Sequence, residues 1–270
     1  MKISVGVVVA FILLWISVAA CASPFHSEPD GQLSSEVAVG AINYVLRDEM
    51  YAPLRYHATH AGAQASLAIS HGGSHHEVRI AYSESDASTG PSNLDSRVTQ
   101  ANLSYDWLHR VGEIAVGGKP LRTFAGIGLA SFVQIIEYGQ VGGRYNAAWL
   151  AAHSMNLAGR AEYTLSSVDR VHFAVTMPMV AYVVRPPYAG FDEVTSSERD
   201  DRVKILSTRG QFEGATKYVA PSVALAWQRK LVDSWNLTLA YHMRLVRYDE
   251  PRPVRLLSNQ FMLGLSYVSN

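Results

Sequence analysis

The chain has 270 residues, of which 48% are hydrophobic and 17% are charged, and its 23 Lys and Arg residues balance its 23 Asp and Glu residues. This neutral balance excludes a general nucleic-acid or anionic-lipid surface, which would need an excess of basic residues. The single cysteine, Cys21, excludes a disulfide within the chain.

The first 20 residues have the composition of a secretory signal peptide. Lys2 supplies one positive charge, an apolar run follows over residues 7–15, and small residues including Ala19 and Ala20 end the segment. This order of charge, apolar core and small exit predicts export. An uncleaved membrane anchor is the alternative, but we would expect basic residues, rather than small ones, directly after the apolar segment of such an anchor.

Cys21 follows that segment directly and allows two interpretations. Residues 18–21 resemble the lipobox of bacterial lipoproteins, in which the thiol is acylated and becomes the new N-terminus. Residues 20–22 also fit an ordinary small-residue cleavage site, which would remove the cysteine. Both interpretations stay open. Residues 21–33 are polar and interrupted by Pro and Gly, which predicts a flexible lead-in.

Apolar and polar side chains alternate over most of the remaining chain. Over 169–183 one face receives residues such as Val171, Phe173, Ala181 and Val183. Since successive side chains of a strand point to opposite faces, this predicts a ribbon with one apolar and one polar face. No later segment has the length of an apolar spanning helix. Ten candidate strands lie near 35–46, 62–70, 76–85, 97–108, 120–137, 147–165, 168–184, 217–230, 235–247 and 256–268.

The length of a connection depends on whether the strand before it has an even or an odd number. Those after even-numbered strands are mostly tight, as at 71–75 and 232–234, and 109–119 is a longer exception. Those after odd-numbered strands are longer: 47–61, 86–96, 138–146, 185–216 and 248–255. Short turns on one side and long loops on the other are typical of outer-membrane barrels, whose strand number is even. A soluble periplasmic β-sandwich, the alternative, has no reason to sort its loops in this way.

Aromatic residues cluster near the end of the barrel that is predicted to have short turns, at strand positions predicted to point outward. Amphipathic rings prefer the lipid–water boundary, so this clustering indicates an aromatic girdle. The predicted girdle consists of Trp107, Tyr163, Phe173, Trp227, Trp235 and Tyr267.

The prediction is therefore an all-β fold, a single antiparallel up-and-down transmembrane β-barrel of about ten strands over residues 34–270. In this pattern the chain resembles the small outer-membrane β-barrel proteins of Gram-negative bacteria as a class, without a family-specific motif. Such barrels usually end in an aromatic residue, whereas this chain ends three residues after Tyr267. The resemblance implies contact with outer-membrane lipid, and the neutral charge balance predicts no nucleic-acid partner.

Ten charged or titratable side chains carry the inward parity. Charges in so narrow a space must pair or be hydrated, because an isolated buried ion is strongly unfavourable. Two functions follow: a salt-bridged structural plug, or a narrow porin-like passage whose arginines favour anions. The predicted network comprises Glu77, Arg79, Asp106, Arg122, Arg160, Glu162, Arg170, His172, His242 and Arg244.

The residues that could carry chemistry form no recognisable site in the sequence. The histidines lack zinc-site spacing, so we expect no metal and no cofactor. His153 and Ser154 are adjacent in a strand and point to opposite faces, so they cannot form a catalytic pair. The alternative function is a membrane-embedded hydrolase or protease at the outer rim. Loop 185–216 is the candidate surface for an extracellular partner.

Overall fold

The computed structural model describes residues 31–49, 52–90, 94–138, 147–185 and 210–269, and nearly all of them are in strands. The predicted signal peptide, Cys21, most of the lead-in and the centre of the longest loop lie outside these residues. Within the described ranges the strands are β1 (Gln32–Asp48), β2 (Ala52–His71), β3 (Ser74–Ser88), β4 (Asp95–Val116), β5 (Lys119–Tyr138), β6 (Ala147–Thr164), β7 (Asp169–Val184), β8 (Gln211–Gly214), β9 (Tyr218–Val219), β10 (Ser222–Val232), β11 (Trp235–Tyr248) and β12 (Val254–Ser269).

The sheet closes on itself. Strands β1 to β7 pair antiparallel in chain order, β12 pairs with both β1 and β11, and β10 pairs with both β11 and β7. Ten strands thus form the ring, while the short β8 and β9 extend the sheet along β7 and β11. This confirms the predicted all-β, antiparallel up-and-down barrel of about ten strands.

Large apolar side chains cover the outside of the barrel. About half of the surface of Leu103, Leu129, Leu157, Leu239 and Leu263 is exposed, and all five point away from the axis. A contiguous apolar surface of this extent is rare on water-soluble proteins and suits contact with lipid. A two-layer sandwich would turn the same side chains inward, so the structure rules that alternative out.

The two ends of the barrel differ in their connections. At the end that we call the turn end, Gly72-Gly73, Gly117-Gly118, residues 165–168 and Asp233-Ser234 join the strands. At the opposite end, the loop end, the connections are residues 49–51, 89–94, 139–146, 185–210 and 249–253. The connections between the described strands are therefore shorter at the turn end, with one exception: the loop-end connection 49–51 has only three residues.

Two predicted connections are wrong. The pattern predicts a loop over 47–61, but β2 begins at Ala52 and pairs with β1 almost to its end. The pattern also predicts a longer connection over 109–119, where β4 and β5 instead continue to a two-residue turn. Gly117 and Gly118 have φ angles of 59° and 77°, the positive values that a tight hairpin turn requires.

The predicted faces of the 169–183 segment hold only in its first part. A β-bulge pairs Met155 with Val180 but Asn156 with Pro178, so one extra residue enters β7. Beyond this point Ala181 and Val183 turn to the inside, where both are buried, although the strict alternation places them with the outward residues.

Among the described residues, the structure has no helix that combines the length and apolar character needed to cross a membrane.

A charge placed on the outer face tests whether that face meets lipid. Leu263 lies near the middle of β12 and is 50% exposed. We expect Leu263→Arg to lower the free energy of unfolding by about 2–4 kcal/mol in lipid vesicles, since an arginine at the bilayer midplane is poorly solvated. Val232→Arg beside a turn is the control and should cost about 0–1 kcal/mol. Equal, small losses in urea titrations would contradict the lipid-facing assignment.

Candidate functional site

The interior of the barrel is divided into a charged half near the turn end and an apolar half near the loop end. In the first half, strands β3, β6 and β7 hold ionisable side chains that meet across the lumen. We call this group the lumen charge cluster: His75, Glu77, Arg79, Arg160, Glu162 and His172.

Arg160 joins the two sides of this cluster. Its Nη1 lies 3.5 Å from Oε2 of Glu77 on β3, and its Nε lies 2.8 Å from Oε1 of Glu162 on its own strand. Glu77 also accepts a hydrogen bond from Arg79. The side chains of Glu77 and Arg160 are only 12% and 19% exposed. The positive and negative charges therefore compensate each other inside the barrel, as buried ions require.

The two histidines of the cluster lie between Arg160 and polar groups of neighbouring strands. Nη1 of Arg160 lies 2.9 Å from His75 Nε2, and its Nη2 lies 3.1 Å from His172 Nδ1. The other ring nitrogens lie 3.0 Å from Ser70 Oγ and 3.4 Å from Gln228 Oε1. The network thus reaches from β2 to β10.

Three further residues of the predicted network face the lumen, and one of them, Asp106, lies directly opposite Glu77 of this cluster. Arg244 donates to Asn102 Oδ1 at 3.0 Å and lies over the ring of Phe132. Asp106 lies opposite Gly128, and a Cβ atom there would come within 2.2 Å of its Oδ1, so the glycine makes room for the carboxylate. His242 pairs with Ala224 on the inward face.

The other two predicted residues lie at the turn end. Arg122 is exposed and forms a 3.0 Å ion pair with Glu113 on the β4–β5 hairpin. Arg170, the second residue of β7, is also exposed. The structure therefore brings Glu77, Arg79, Arg160, Glu162 and His172 together and leaves Arg122 and Arg170 outside.

Sequence reasoning missed two inward polar residues. His75 falls in a predicted turn, although it shares the parity of Glu77 and Arg79, and that parity is the signal that could have found it. Glu36 lies in β1, whose alternation is poor, and it accepts a hydrogen bond from Thr238 at 2.9 Å.

The loop-end half of the interior is filled by apolar and aromatic side chains. Tyr44, Tyr56, Tyr138 and Tyr248 are at most 2% exposed and point toward the axis. We call this group the loop-end core, and its other members are Leu46, Ala58, Ala87, Val98, Phe132, Ile136, Ala148, Leu150, Ala152, Ala181, Val183, Tyr218, Val246, Val254 and Leu256. In the sequence, this core is indicated by strand segments that carry apolar residues on both faces, as at Ile135-Ile136.

A buried ion pair ties three connections together above this core. Arg185, the first residue after β7, donates to Asp48 Oδ1 at 2.7 Å and to Oδ2 at 3.2 Å. It also donates to the backbone oxygen of Arg252 at 3.3 Å. The two side chains are 2% and 1% exposed. This contact fixes the base of the longest loop to the β1–β2 and β11–β12 connections.

Lys217, in the turn between β8 and β9, belongs to an exposed network on the rim. Its Nζ lies 3.0 Å from Oε1 of Glu250, and this hydrogen bond, helped by Glu213, raises the pKa of the lysine. Gln211 donates to the hydroxyl of Tyr248 at 2.8 Å and so joins the rim to the loop-end core.

The predicted girdle residues lie on the outside. Trp107, Phe173, Trp235 and Tyr267 are exposed there, and the rings of Trp235 and Tyr267 pack edge to face at 5.4 Å. Trp227 and Tyr163 share this face and are half-buried. Within the described ranges no group of three or more His, Cys, Asp and Glu residues could hold a metal ion.

Neither a protein-family model nor a curated protein matches the sequence. Among solved structures, the translocator domain of the autotransporter NalP from Neisseria meningitidis is 10% identical, with a TM-score of 0.43 and 97% of each chain covered. The outer-membrane protease OmpT from Escherichia coli is 5% identical, with a TM-score of 0.42, covering 88% of this chain and 97% of that chain. Neisserial surface protein A is 9% identical, with a TM-score of 0.35, covering 86% and 96%. Similarities this low do not assign the chain to a family.

Breaking the buried ion pair at the loop end should be costly. Asp48→Asn leaves the guanidinium of Arg185 buried without its counter-charge, and we expect the free energy of unfolding to fall by about 3–5 kcal/mol. The control is Asp249→Asn, which breaks the exposed pair with Arg247 and should cost at most about 1 kcal/mol.

The same urea titrations should show that Asp48→Leu combined with Arg185→Met recovers much of the loss, because no ion is then left unpaired. A single Asp48→Asn variant as stable as the Asp249→Asn control would contradict this account.

Proposed function

We propose that the chain is a closed structural β-barrel of the bacterial outer membrane, exported through residues 1–20. The observation that carries this proposal is the loop-end core, in which aromatic and aliphatic side chains fill the barrel interior. The apolar outer surface supports the membrane location, because lipid is the solvent that such a surface prefers.

The filled interior favours a plug over a passage. A dissolved ion or polar solute would have to cross the layer that contains Tyr44, Tyr138 and Tyr248, which are at most 2% exposed. It would lose its hydration there, because polar groups of this layer already bond one another, as Tyr44 does with Ser85. The ion pair of Asp48 and Arg185 lies beyond that layer and joins the connections above it. A small barrel whose side chains fill the lumen gains rigidity rather than conductance.

Arg79 and Arg160 of the lumen are held in ion pairs, whereas Arg244 donates to the neutral amide of Asn102. The two ion-paired arginines also argue against an anion-selective pore. Arg79 and Arg160 contact Glu77, and Arg160 contacts Glu162 as well. A selectivity ring needs cationic groups that are able to exchange partners with the passing anion. Paired guanidinium groups at the wall instead stabilise the contacts between β3 and β6.

Two peripheral features complete the proposal. Removal of residues 1–20 would leave Cys21 as an acylated N-terminus, whereas cleavage one or two residues later would remove it; the mass of the mature N-terminal peptide distinguishes the two.

The segment 185–216 is proposed as a contact surface for an extracellular partner, since the buried Arg185 fixes its base.

Planar-bilayer recording tests whether the interior is closed. Wild-type protein reconstituted from detergent should produce no current steps, because the loop-end core blocks the lumen. The combined variant Tyr44→Ala, Tyr138→Ala and Tyr248→Ala removes three rings from that core, and we expect it to produce discrete current steps.

The matched control removes charge instead of volume. Arg160→Met together with Glu162→Gln changes the lumen charge cluster but leaves the loop-end core in place, so it should remain silent. Heat-modifiable migration on gels checks that each variant is folded. Current steps from the wild-type protein would contradict the closed-barrel proposal whatever the variants do.

A further inference from the structure

Ser131 and His153 form a hydrogen-bonded pair on the outside of the barrel. They lie directly opposite each other on β5 and β6, and Ser131 Oγ is 2.9 Å from His153 Nδ1. Both carry the outward parity of Leu129 and Leu157, the exposed leucines on the same strands. A hydroxyl and an imidazole within hydrogen-bond distance are the elements of an activated nucleophile.

Aromatic packing fixes the orientation of the imidazole. The ring of His153 stacks on Tyr182 of β7, with centroids 6.5 Å apart and planes inclined by 24°. Tyr182 in turn packs against Phe212 of β8 at 5.1 Å and accepts a hydrogen bond from the backbone nitrogen of Gly210. The series from Phe212 to Ser131 thus forms one continuous contact across four strands.

The pair lies in an apolar groove of about 690 Å³ that runs over the outward face from β3 to β8. Its lining includes Val78, Leu103, Leu129, Met155, Val180 and Phe212. Phe212, which is 78% exposed, forms the border next to the strand end. On a lipid-facing surface, the occupant that matches these apolar walls is an acyl chain of a membrane lipid.

The pair lies in the loop-end half of the outer face. Tyr182, which pairs with His153, is two residues from the end of β7, whereas Ser131 is seven residues before the end of β5 and His153 six residues after the start of β6. Ester groups of membrane lipids lie at the boundary between the acyl chains and the headgroups. The groove therefore offers apolar walls for the chain and a hydroxyl–imidazole pair for the ester.

We propose that this groove is an acyl-ester hydrolysis site with Ser131 as the nucleophile and His153 as the general base. The proposal rests on the membrane location given above and is independent of whether the lumen is closed. As Ser131 Oγ attacks the ester carbonyl carbon, Nδ1 of His153 takes the hydroxyl proton. The acyl C–O bond then breaks, and the leaving alcohol oxygen takes that proton from the imidazole.

Water completes the reaction. His153 takes a proton from a water molecule as that molecule attacks the acyl-serine ester, and the proton returns to Ser131 Oγ when the ester breaks. The products are a free fatty acid and the lipid with one acyl chain fewer. No oxidant or metal ion takes part in this balance.

Two other Ser–His pairs show that the hydrogen bond alone does not define the site. Ser74 and His109 lie 3.2 Å apart at the exposed turn end, and Ser70 and His75 lie 3.0 Å apart inside the barrel. Neither pair lines the groove. Ser74→Ala is therefore a matched control, because it removes the same group from the same kind of cross-strand pair.

The experiment uses the full-length folded protein in mixed micelles with dipalmitoyl phosphatidylethanolamine and, separately, p-nitrophenyl palmitate. Release of palmitate or nitrophenol is measured, and a long-chain fluorophosphonate is used to label the nucleophile, followed by peptide mass analysis. We expect label on Ser131, a loss of hydrolysis of about 100-fold or more in Ser131→Ala and in His153→Gln, and no loss in Ser74→Ala.

The proposal is overturned if the folded wild-type protein releases neither product and takes up no label, or if Ser131→Ala hydrolyses both esters at the wild-type rate. Heat-modifiable migration confirms that each variant is folded, and Ser131→Cys is included because its thiol restores a nucleophile while keeping the size of the side chain. Bilayer recordings of the same samples report on the closed lumen separately, so failure of one proposal leaves the other measurable.

Discussion

The satisfaction of backbone hydrogen bonds is the constraint on which this structure depends. A sheet in lipid cannot leave an unpaired edge, because the hydrocarbon supplies no partner for an N–H or C=O group. The pairing of β10 with both β7 and β11 removes the last edge of the ring. Closure then gives every strand an inner and an outer face. Because side chains alternate between these faces, the outward residues of each strand face lipid and the inward ones face the lumen.

The contents of the lumen follow from that division. A ring of ten strands is narrow enough for side chains to meet across it, as Arg160 and Glu77 do between β6 and β3. Arg79 and Arg160 are compensated there by carboxylates, and Arg244 is held by the amide of Asn102 and the ring of Phe132 at the border of the loop-end core. The ion pair of Asp48 and Arg185 appears where the core ends and the connections begin. From the turn end to the loop end, the interior thus contains the lumen charge cluster, then the loop-end core, and then the buried ion pair of Asp48 and Arg185.

The sequence predicted the barrel because its strand alternation and loop parity are local signals. It predicted the inward faces of Glu77, Arg79, Arg160, Glu162 and His172 for the same reason. It did not predict where alternation changes face, although Pro178 lies at the bulge opposite Met155 and Asn156 and, since proline cannot donate to the ladder, is the local marker that could have indicated it. The Gly117-Gly118 turn likewise has the same marker as Gly72-Gly73, so that connection could have been predicted.

The outward Ser131–His153 pair belongs to the part of the structure that one strand cannot reveal. The two residues are 22 positions apart and meet because β5 and β6 are in register, whereas the adjacent His153 and Ser154 point to opposite faces. Predicting the pair from sequence requires the register of two strands to within one residue, and a slip of one would turn either side chain inward. The packing of side chains inside the barrel supports this pair whether or not it blocks conduction, because a fixed geometry on the outer face needs strands that do not shift beneath it. The packed interior holds β5 and β6 in place from inside, through Phe132, Ile136, Leu150 and Ala152 of the loop-end core.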